Sequence, residues 1–503
     1  MASTRTPVVP FFEIELKLAL PCADPSALEA LLSRLPVLAR RRATREQLHN
    51  TYFDTTDNTL NHQRTALRIR RVDGENQPVW LQTLKMGGSG ESALSQRGEW
   101  EATVPGAALE FGMLQTTPWS QLDPDGALFR ALAARFTTDF TRARWTVRNH
   151  HDGSVIEVAL DLGQIVAGGH SAPICEPELE LKAGQPPALF EIARQIASAV
   201  AVMPLEASKS QRGFALADNT MDQPTRARPP ALVSETPIDE AAHRVLQEML
   251  HHFNANLHTL LTSEDPEVVH QARVAWRRLK TALALFKKST LVQASPPLQA
   301  LKPLLKELGK LRDMEVANLQ TLPMLANAYV AGSPKRKARW KTLQEAMAMA
   351  TQAQHQRVRQ ALFDPAAGAT LLALTEWLEI TGSPTQPAND SAVQTQNLRA
   401  WAQLRMERLQ TQLKGSQEKT KKTDHLHRTR ILAKRMRYGV ETLRAVLPKR
   451  RAQRWHRQAA HLQNAMGAER DLQQALRLSK RLKAHATLLA FLHAVALGRN
   501  HPR

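Results

Sequence analysis

Two cysteines in 503 residues, Cys22 and Cys175, are too few for a disulfide framework, and one distant pair lacks the spacing of a metal motif. Such a chain suits a reducing compartment. Long apolar runs are absent too: the best, Ala486 to Leu497, is too short to span a bilayer and contains His493. The N-terminus has no charged, apolar, small-residue signal pattern, so a soluble cytoplasmic protein without a membrane partner is expected. Aromatic residues thin out in the second half, where five Trp and two Tyr are spread widely and few lie within basic motifs. Base-stacking platforms for nucleic acid are therefore not expected. Acidic residues are scarce in the same half. Residues 1–220 carry 22 Lys+Arg against 25 Asp+Glu, which leaves 45 against 22 for residues 221–503. The net charge of +20 lies wholly in the second half, and a field of that size attracts polyanions without saying which.

What is present there is a pattern that occurs twice. His270, Arg273, Arg277, Arg278 and Lys280 stand at the same offsets as His427, Arg430, Lys434, Arg435 and Arg437. In a helix the first, second, third and fifth of these offsets fall within a stripe about 80° wide, so each segment predicts a helix with one cationic face. Downstream of each copy comes GxxRD, as Gly309–Asp313 and Gly467–Asp471. A basic stripe on one helix is ordinarily a solvated face. Its exact repetition points instead to two similar helical units that share a phosphate-binding surface. The arginine–aspartate pairs of GxxRD are read as packing and ion-pair devices between the repeats.

The first half alternates as strands do. In FFEIELKLAL, Phe12, Ile14, Leu16, Leu18 and Leu20 share one face and Glu13, Glu15 and Lys17 the other. The same habit places Arg68 and Arg70, Thr83 and Lys85, Arg97, Glu99 and Glu101, Arg142 and Arg144, Glu157 and Asp161, and Glu176, Glu178, Glu180 and Lys182 on charged faces. About eight antiparallel strands in a meander are expected, with helices near 25–38, 125–134 and 187–202. If the sheet closes, these charges enter a lumen. A mixed-charge lumen is costly unless a charged ligand and metal ions complete it. Pro177, which lacks an N–H, puts the start of the last acidic strand in question. The proline-rich stretch 219–237 reads as a linker, which gives domains at 1–220 and 236–503 joined by 221–235.

Glu13-Ile14-Glu15-Leu16-Lys17 resembles the ExExK signature of the CYTH superfamily, the triphosphate tunnel metalloenzymes. That superfamily includes class IV adenylate cyclases, thiamine triphosphatases and inorganic triphosphatases. YFDT at 52–55, LRIRR at 67–71, TLK at 83–85, EVALD at 157–161, ELEL at 178–181 and SKSQRG at 208–213 follow in order, so the likeness runs over residues 9–218. VHQARVAWRRLK and LHRTRILAKRMRYGVE are similar to CHAD, a helical domain, over 236–498. The order resembles bacterial CYTH-CHAD proteins. The fold class implied is α+β followed by all-α: an antiparallel eight-stranded β-tunnel and a helical domain of two similar repeats.

The resemblance implies that Glu13, Glu15, Asp161 and two of Glu176, Glu178 and Glu180 hold divalent metal, Mg²⁺ or Mn²⁺, two per tunnel. Lys17, Arg68, Arg70, Lys85, Arg97, Arg142 and Lys209 would bind triphosphate, with Glu13, Glu15 and Lys17 nearest the chemistry. The expected reaction is hydrolysis of inorganic triphosphate to pyrophosphate and phosphate, which needs positioned charge and no nucleophilic side chain. His270, Arg273, Arg277, Arg278, Lys280, His427, Arg430, Lys434, Arg435 and Arg437 would bind long-chain polyphosphate, with polyphosphate granules as a place of residence. The alternatives are a class IV adenylate cyclase or thiamine triphosphatase on the same tunnel, and a polyphosphate-binding protein without catalysis.

Overall fold

Strict alternation in β1 (Phe11–Ala19) turns Leu16 and Leu18 into an apolar core, while Glu13, Glu15 and Lys17 take the opposite face. The structure is a computed structural model and describes residues 11–21, 24–73, 77–89, 92–381, 397–418 and 423–500. Seven more long strands follow: β2 (Thr44–Asp54), β3 (Ala66–Asp73), β4 (Val79–Ser89), β5 (Leu94–Val104), β6 (Ala133–Arg148), β7 (Val155–Ala167) and β8 (His170–Ala183). A two-residue β9 (Met203–Pro204) pairs with the end of β1. The sheet order is β5-β4-β3-β2-β6-β7-β8-β1-β9, and an added β5–β1 pairing closes it into an antiparallel barrel of eight strands. The chain is thus two meanders, β2–β5 and β6–β8, joined by a β2–β6 pairing, with β1 inserted between β5 and β8. The simple meander expected from sequence is corrected by those two long-range pairings.

Closure sorts the faces. Cross-strand partners share a side of a sheet, and the registers Glu13↔Arg97, Lys17↔Glu178, Lys85↔Glu99, Arg142↔Asp161 and Asp161↔Glu176 collect the charged faces together. The outward face of β1, β6, β7 and β8 is covered by the helix α1 (Pro187–Ala199), whose Leu189, Phe190, Ala193 and Ile196 pack on Leu16, Leu18, Trp145, Val158 and Leu179. Helix α2 (Lys209–Ala217) starts at a capping box, in which Ser208 accepts from Gln211 N and the Gln211 side chain accepts from Ser208 N. Its Phe214 and Leu216 join Tyr52, Phe136, Phe140 and Ile174 in a second cluster, on the same side of the sheet as the lumenal charges. Gly213 lies against the Phe136 ring, where a Cβ would come within 2.1 Å.

Three helix expectations shrink. Residues 25–38 hold only a 3₁₀ turn (Pro25–Ala27) and the helix Leu28–Leu32, and 125–134 holds only Ala127–Arg130 before β6 begins. The third helix stops at Ala199. Apolar residues in those loops fill the core without a helical period, so composition suggested more helix than packing requires. Pro177 lies inside β8 opposite Leu160, one residue beyond the last β8 residue paired to β1, so no ladder to that strand is interrupted.

The chain divides into two compact units: Met1–Gln223 with Phe363–Ile380, and Pro224–Leu362 with Thr381–Arg503. The second is helical: α3 (Ile238–Thr259), α4 (Pro266–Leu285), α5 (Lys302–Val316) and α6 (Pro334–Leu362), then α8 (Leu398–Glu418), α9 (Thr423–Thr442), α10 (Lys449–Arg481) and α11 (Ala486–Asn500). Between these sets, α7 (Pro365–Glu376) belongs to the first unit. Within each set the first helix packs on the second, and the third on the fourth; α4 also packs on α9 and α5 on α10. The same order of four long helices therefore occurs twice among the described residues, and the first set also holds the short helices Thr290–Gln293 and Pro323–Val330. Residues 224–236 lie along α3: Asn256 Nδ2 donates to the Thr225 carbonyl at 2.9 Å, Arg228 N to Glu248 Oε1 at 2.6 Å and Arg244 Nη1 to the Ala231 carbonyl at 2.8 Å. The stretch 383–391, SPTQPANDS, has the composition of a loop between two helical units and lies outside the described residues.

Candidate functional sites in the tunnel and on the helix pair

Each lumenal strand supplies charged side chains at alternate positions, and the structure assembles them into three groups. In the first, β1 meets β4 and β5. Lys85 Nζ lies 2.7 Å from Glu13 Oε2 and 3.1 Å from Glu99 Oε2, Lys17 Nζ is 2.9 Å from Glu15 Oε1, and Arg97 pairs with Glu15 and approaches Glu13 at 3.7 Å. Burial pushes the Glu13 carboxyl up to about 7 against the pull of Lys85. Burial acts the same way on Glu15, but Lys17 and Arg97 outweigh it and hold Glu15 well below the usual carboxylate range.

The second group joins β6, β7, β8 and α2. Arg142 donates to both oxygens of Asp161 at 2.7 Å and to Glu178 at 2.5 Å. Lys209 Nζ lies 2.6 Å from Asp161 and 2.8 Å from Glu178, and also pairs with Glu176. Asp161, Glu176 and Glu178 each offer an oxygen within 4.8 Å of the others. Glu180 is outside this trio; it pairs with Lys182 at 2.5 Å, and burial raises its carboxyl.

The third group is the least neutralised. Arg70 donates to Asn50 Oδ1 at 2.8 Å and has no carboxylate partner among the described residues; burial, Arg68 and Arg142 push its guanidinium down to about 10. Arg68 donates to the Tyr52 hydroxyl at 3.4 Å and lies 3.7 Å from Glu99. Arg144, by contrast, pairs with Glu46 at 2.8 Å and is more exposed than Arg142.

Sequence reasoning missed Arg212, which is buried, donates to Glu176 Oε2 at 2.6 Å and also bonds the Pro173 carbonyl. Its signal was available: Arg212 follows Lys209 by three residues, which is one helical face. Asn50 and Tyr52 were missed as partners because neither carries charge, although the strand period places both on the lumenal side.

In the helical unit, α4 begins at Asp265, whose side chain accepts from Glu267 N, with Pro266 at the first position. Its cationic face meets that of α9, and the stripe divides. Arg278 and Arg437 are drawn to Glu441, at 2.6 and 3.0 Å, and His456 adds a 3.1 Å contact. Lys280 and Arg435 are exposed. Arg273, Arg277, Arg430 and Lys434 have no carboxylate partner among the described residues. Burial and neighbouring arginines, Arg277 foremost, push Arg273 down to about 10 and Lys434 to about 7. Burial, Arg312 and Arg277 also lower His270, so its protonation falls below the ordinary histidine range. The uniform stripe expected from sequence is thus four unpaired cations flanked by structural ion pairs. The His427 side chain lies outside the described residues. From GxxRD, Arg470 donates to Asp313 across the repeats at 3.3 Å, and Gly309 leaves room for Arg273, whose Nη1 would lie 3.1 Å from a Cβ there.

Among the described residues no helix is long and apolar enough to cross a membrane. Residues 12–214 match the CYTH domain model and residues 244–479 the CHAD domain model. The inorganic triphosphatase of Haemophilus influenzae is 35% identical over 209 residues, 41% of this chain and 54% of that protein, so the chain spans about half the length of this relative. A solved CHAD domain from the plant Ricinus communis is 26% identical and covers 55% of this chain and 91% of its own, with a TM-score of 0.45. A putative adenylyl cyclase from Hippeastrum, described as having dominant triphosphatase activity, is 21% identical over 40% of this chain and 95% of its own, with a TM-score of 0.28. With a closed tunnel over the first matched segment and a twice-repeated helical unit over the second, the chain belongs to the proteins that join an N-terminal CYTH domain to a C-terminal CHAD domain.

Proposed function

We propose that the tunnel hydrolyses inorganic triphosphate to pyrophosphate and phosphate with a divalent metal, and that the helical unit binds long-chain polyphosphate. The observation that carries the first part is the lumen itself, where buried carboxylates and buried cations interleave on facing strands. The name of the Haemophilus influenzae relative supports the same reaction. The oxygen trio of Asp161, Glu176 and Glu178 fits a hard cation such as Mg²⁺ or Mn²⁺, and Glu13 and Glu15 supply a second pair of oxygen donors. Two metals per tunnel belong to this reading, as does the choice of Glu176 and Glu178 over Glu180. Bound metal would neutralise phosphate oxygens and acidify a water.

The chain's own residues do the rest. Lys17, Arg68, Arg70, Lys85, Arg97, Arg142 and Lys209 hold phosphate oxygens, and among the described residues Arg70 has no carboxylate to leave first. Glu15 stays ionised beside Lys17 and Arg97, and Glu13 or a neighbouring carboxylate takes the proton of the attacking water. Burial of these groups excludes water from the charges that must stabilise the transition state.

For the helical unit, four unpartnered cations on α4 and α9 support polyphosphate as the partner, and the sparse aromatics disfavour nucleic acid. Cytoplasmic residence, at polyphosphate granules, follows from that partner. The test is a panel of tripolyphosphate, ATP, thiamine triphosphate and long-chain polyphosphate with Mg²⁺ and Mn²⁺, with products separated by chromatography. Tripolyphosphate should be cleaved fastest. Rapid cyclic AMP formation would identify a cyclase, and preference for thiamine triphosphate a thiamine triphosphatase. Polyphosphate binding without turnover of any substrate would leave the non-catalytic reading.

A further inference from the structure

Residues 363–380 fall inside the segment matched to the CHAD domain, yet they pack as part of the tunnel unit. Helix α7 starts at Asp364, whose side chain accepts from Ala366 N at 3.0 Å, with Pro365 at the first position. Its Leu372 is fully buried in the core that holds Leu16, Leu18, Phe190 and Val202, and Glu376 pairs with Arg194 of α1. Gly368 makes the closest approach. A Cβ there would lie 2.3 Å from the Val202 carbonyl oxygen and 2.9 Å from its nitrogen. An interior glycine disfavours a helix relative to alanine, so here the missing side chain lets the helix lie directly on backbone.

The backbone it lies on leads to the tunnel cations. After Val202, β9 pairs Met203 with Ala19 and Pro204 with Leu18. Leu205 N donates to the Lys17 carbonyl at 2.9 Å. Ser208 then caps α2, whose first residue is Lys209. We propose that α7, encoded within the helical region, is a positioning element of the tunnel, and that Gly368 sets the placement of Lys17 and Lys209 through the segment Val202–Ser208. This rests on the reading of the tunnel as a triphosphatase.

The test uses the full chain. Gly368→Val should lower kcat/KM for tripolyphosphate on the order of a hundredfold, mostly through KM, as expected when binding groups shift by about 1 Å. Gly368→Ala should move KM in the same direction by less, although alanine favours the helix. Leu372→Ala removes packing without pushing on Val202, so it should lower Tm and leave KM at the wild-type value. Affinity for long-chain polyphosphate should be unchanged in all three. If Gly368→Ala raises Tm and leaves KM unchanged, or if KM rises equally in Leu372→Ala and Gly368→Val, α7 only packs and the proposal is overturned. Should the wild type fail to cleave tripolyphosphate, the triphosphatase reading fails separately. Calorimetric affinity for tripolyphosphate then reads the same displacement in place of KM.

Discussion

In the tunnel, Lys17, Lys85, Lys209, Arg97, Arg142 and Arg212 each meet a carboxylate, whereas on the helix pair Arg273, Arg277, Arg430 and Lys434 meet none among the described residues. Both regions are cation-rich and half-buried or deeper, so the difference lies in who compensates the charge. Apart from Arg70, the tunnel cations are balanced by the tunnel's own carboxylates, which would have to exchange partners for a metal-bound phosphate to enter. The helix pair leaves its charges unbalanced and holds a standing repulsion that an incoming polyanion relieves. Burying paired charge gains little net stability, and burying unpaired charge costs it. Tight, metal-dependent selection suits the first arrangement, and salt-sensitive capture the second.

The largest effect that could break this comparison is in the tunnel. Glu15→Ala or Asp161→Asn should reduce turnover of tripolyphosphate on the order of a thousandfold while circular dichroism keeps the strand signal, because each removes a charge that metal and substrate use together. Chelation of divalent metal should do the same to the wild type. Wild-type turnover in both variants would sink the tunnel assignment.

On the helix pair, replacing Arg273, Arg277, Arg430 and Lys434 together by methionine should lower polyphosphate affinity at least about a hundredfold, read by calorimetry at fixed salt. Stability sharpens the contrast. Arg277→Met should raise the unfolding free energy by about 1 kcal/mol because it removes repulsion, whereas Arg278→Met should lower it by a similar amount because Glu441 loses a partner. Equal signs from denaturant titration would erase the distinction between paired and unpaired cations.

A several-fold effect of pH should follow from Lys434, which has a folded value of about 7 against roughly 10.4 when unfolded. Between those values the native state binds fewer protons than the unfolded one, so stability of the free protein should rise with pH across that window. Polyphosphate restores the proton, so its affinity should fall as pH rises through about 7, and Lys434→Arg should flatten that profile. His270, held below the ordinary histidine range, would add its step at lower pH. The smallest effect belongs to Gly309→Ala, where the 3.1 Å neighbour is the free end of Arg273: polyphosphate affinity should change less than about threefold.

Much of this was legible in the chain. Alternation in β1 placed Glu13, Glu15 and Lys17 on one face, and the repeated offsets in 270–280 and 427–437 located the two helices that meet. The short helices at 25–38 and 125–134 were misjudged because apolar loop residues resemble a helix when only composition is read. Arg212 was within reach of the helical period but was passed over beside Lys209.

Sequence alone determined the split of charge between the halves and the local periods that put the charged side chains on one face, because side-chain direction along a strand or helix follows from backbone geometry. Tertiary structure decided the rest. The β7–β8 register set Asp161 opposite Glu176 and Glu180 opposite Glu157, which left Glu180 outside the trio of Asp161, Glu176 and Glu178. Glu441 claimed Arg278 and Arg437 and left Arg273, Arg277, Arg430 and Lys434 without a carboxylate partner among the described residues. Helix α7 joined the tunnel unit from within the helical region. Each of these depends on which distant residues share a volume, and that is fixed by packing across the whole chain, where spacing along the sequence carries no record of it.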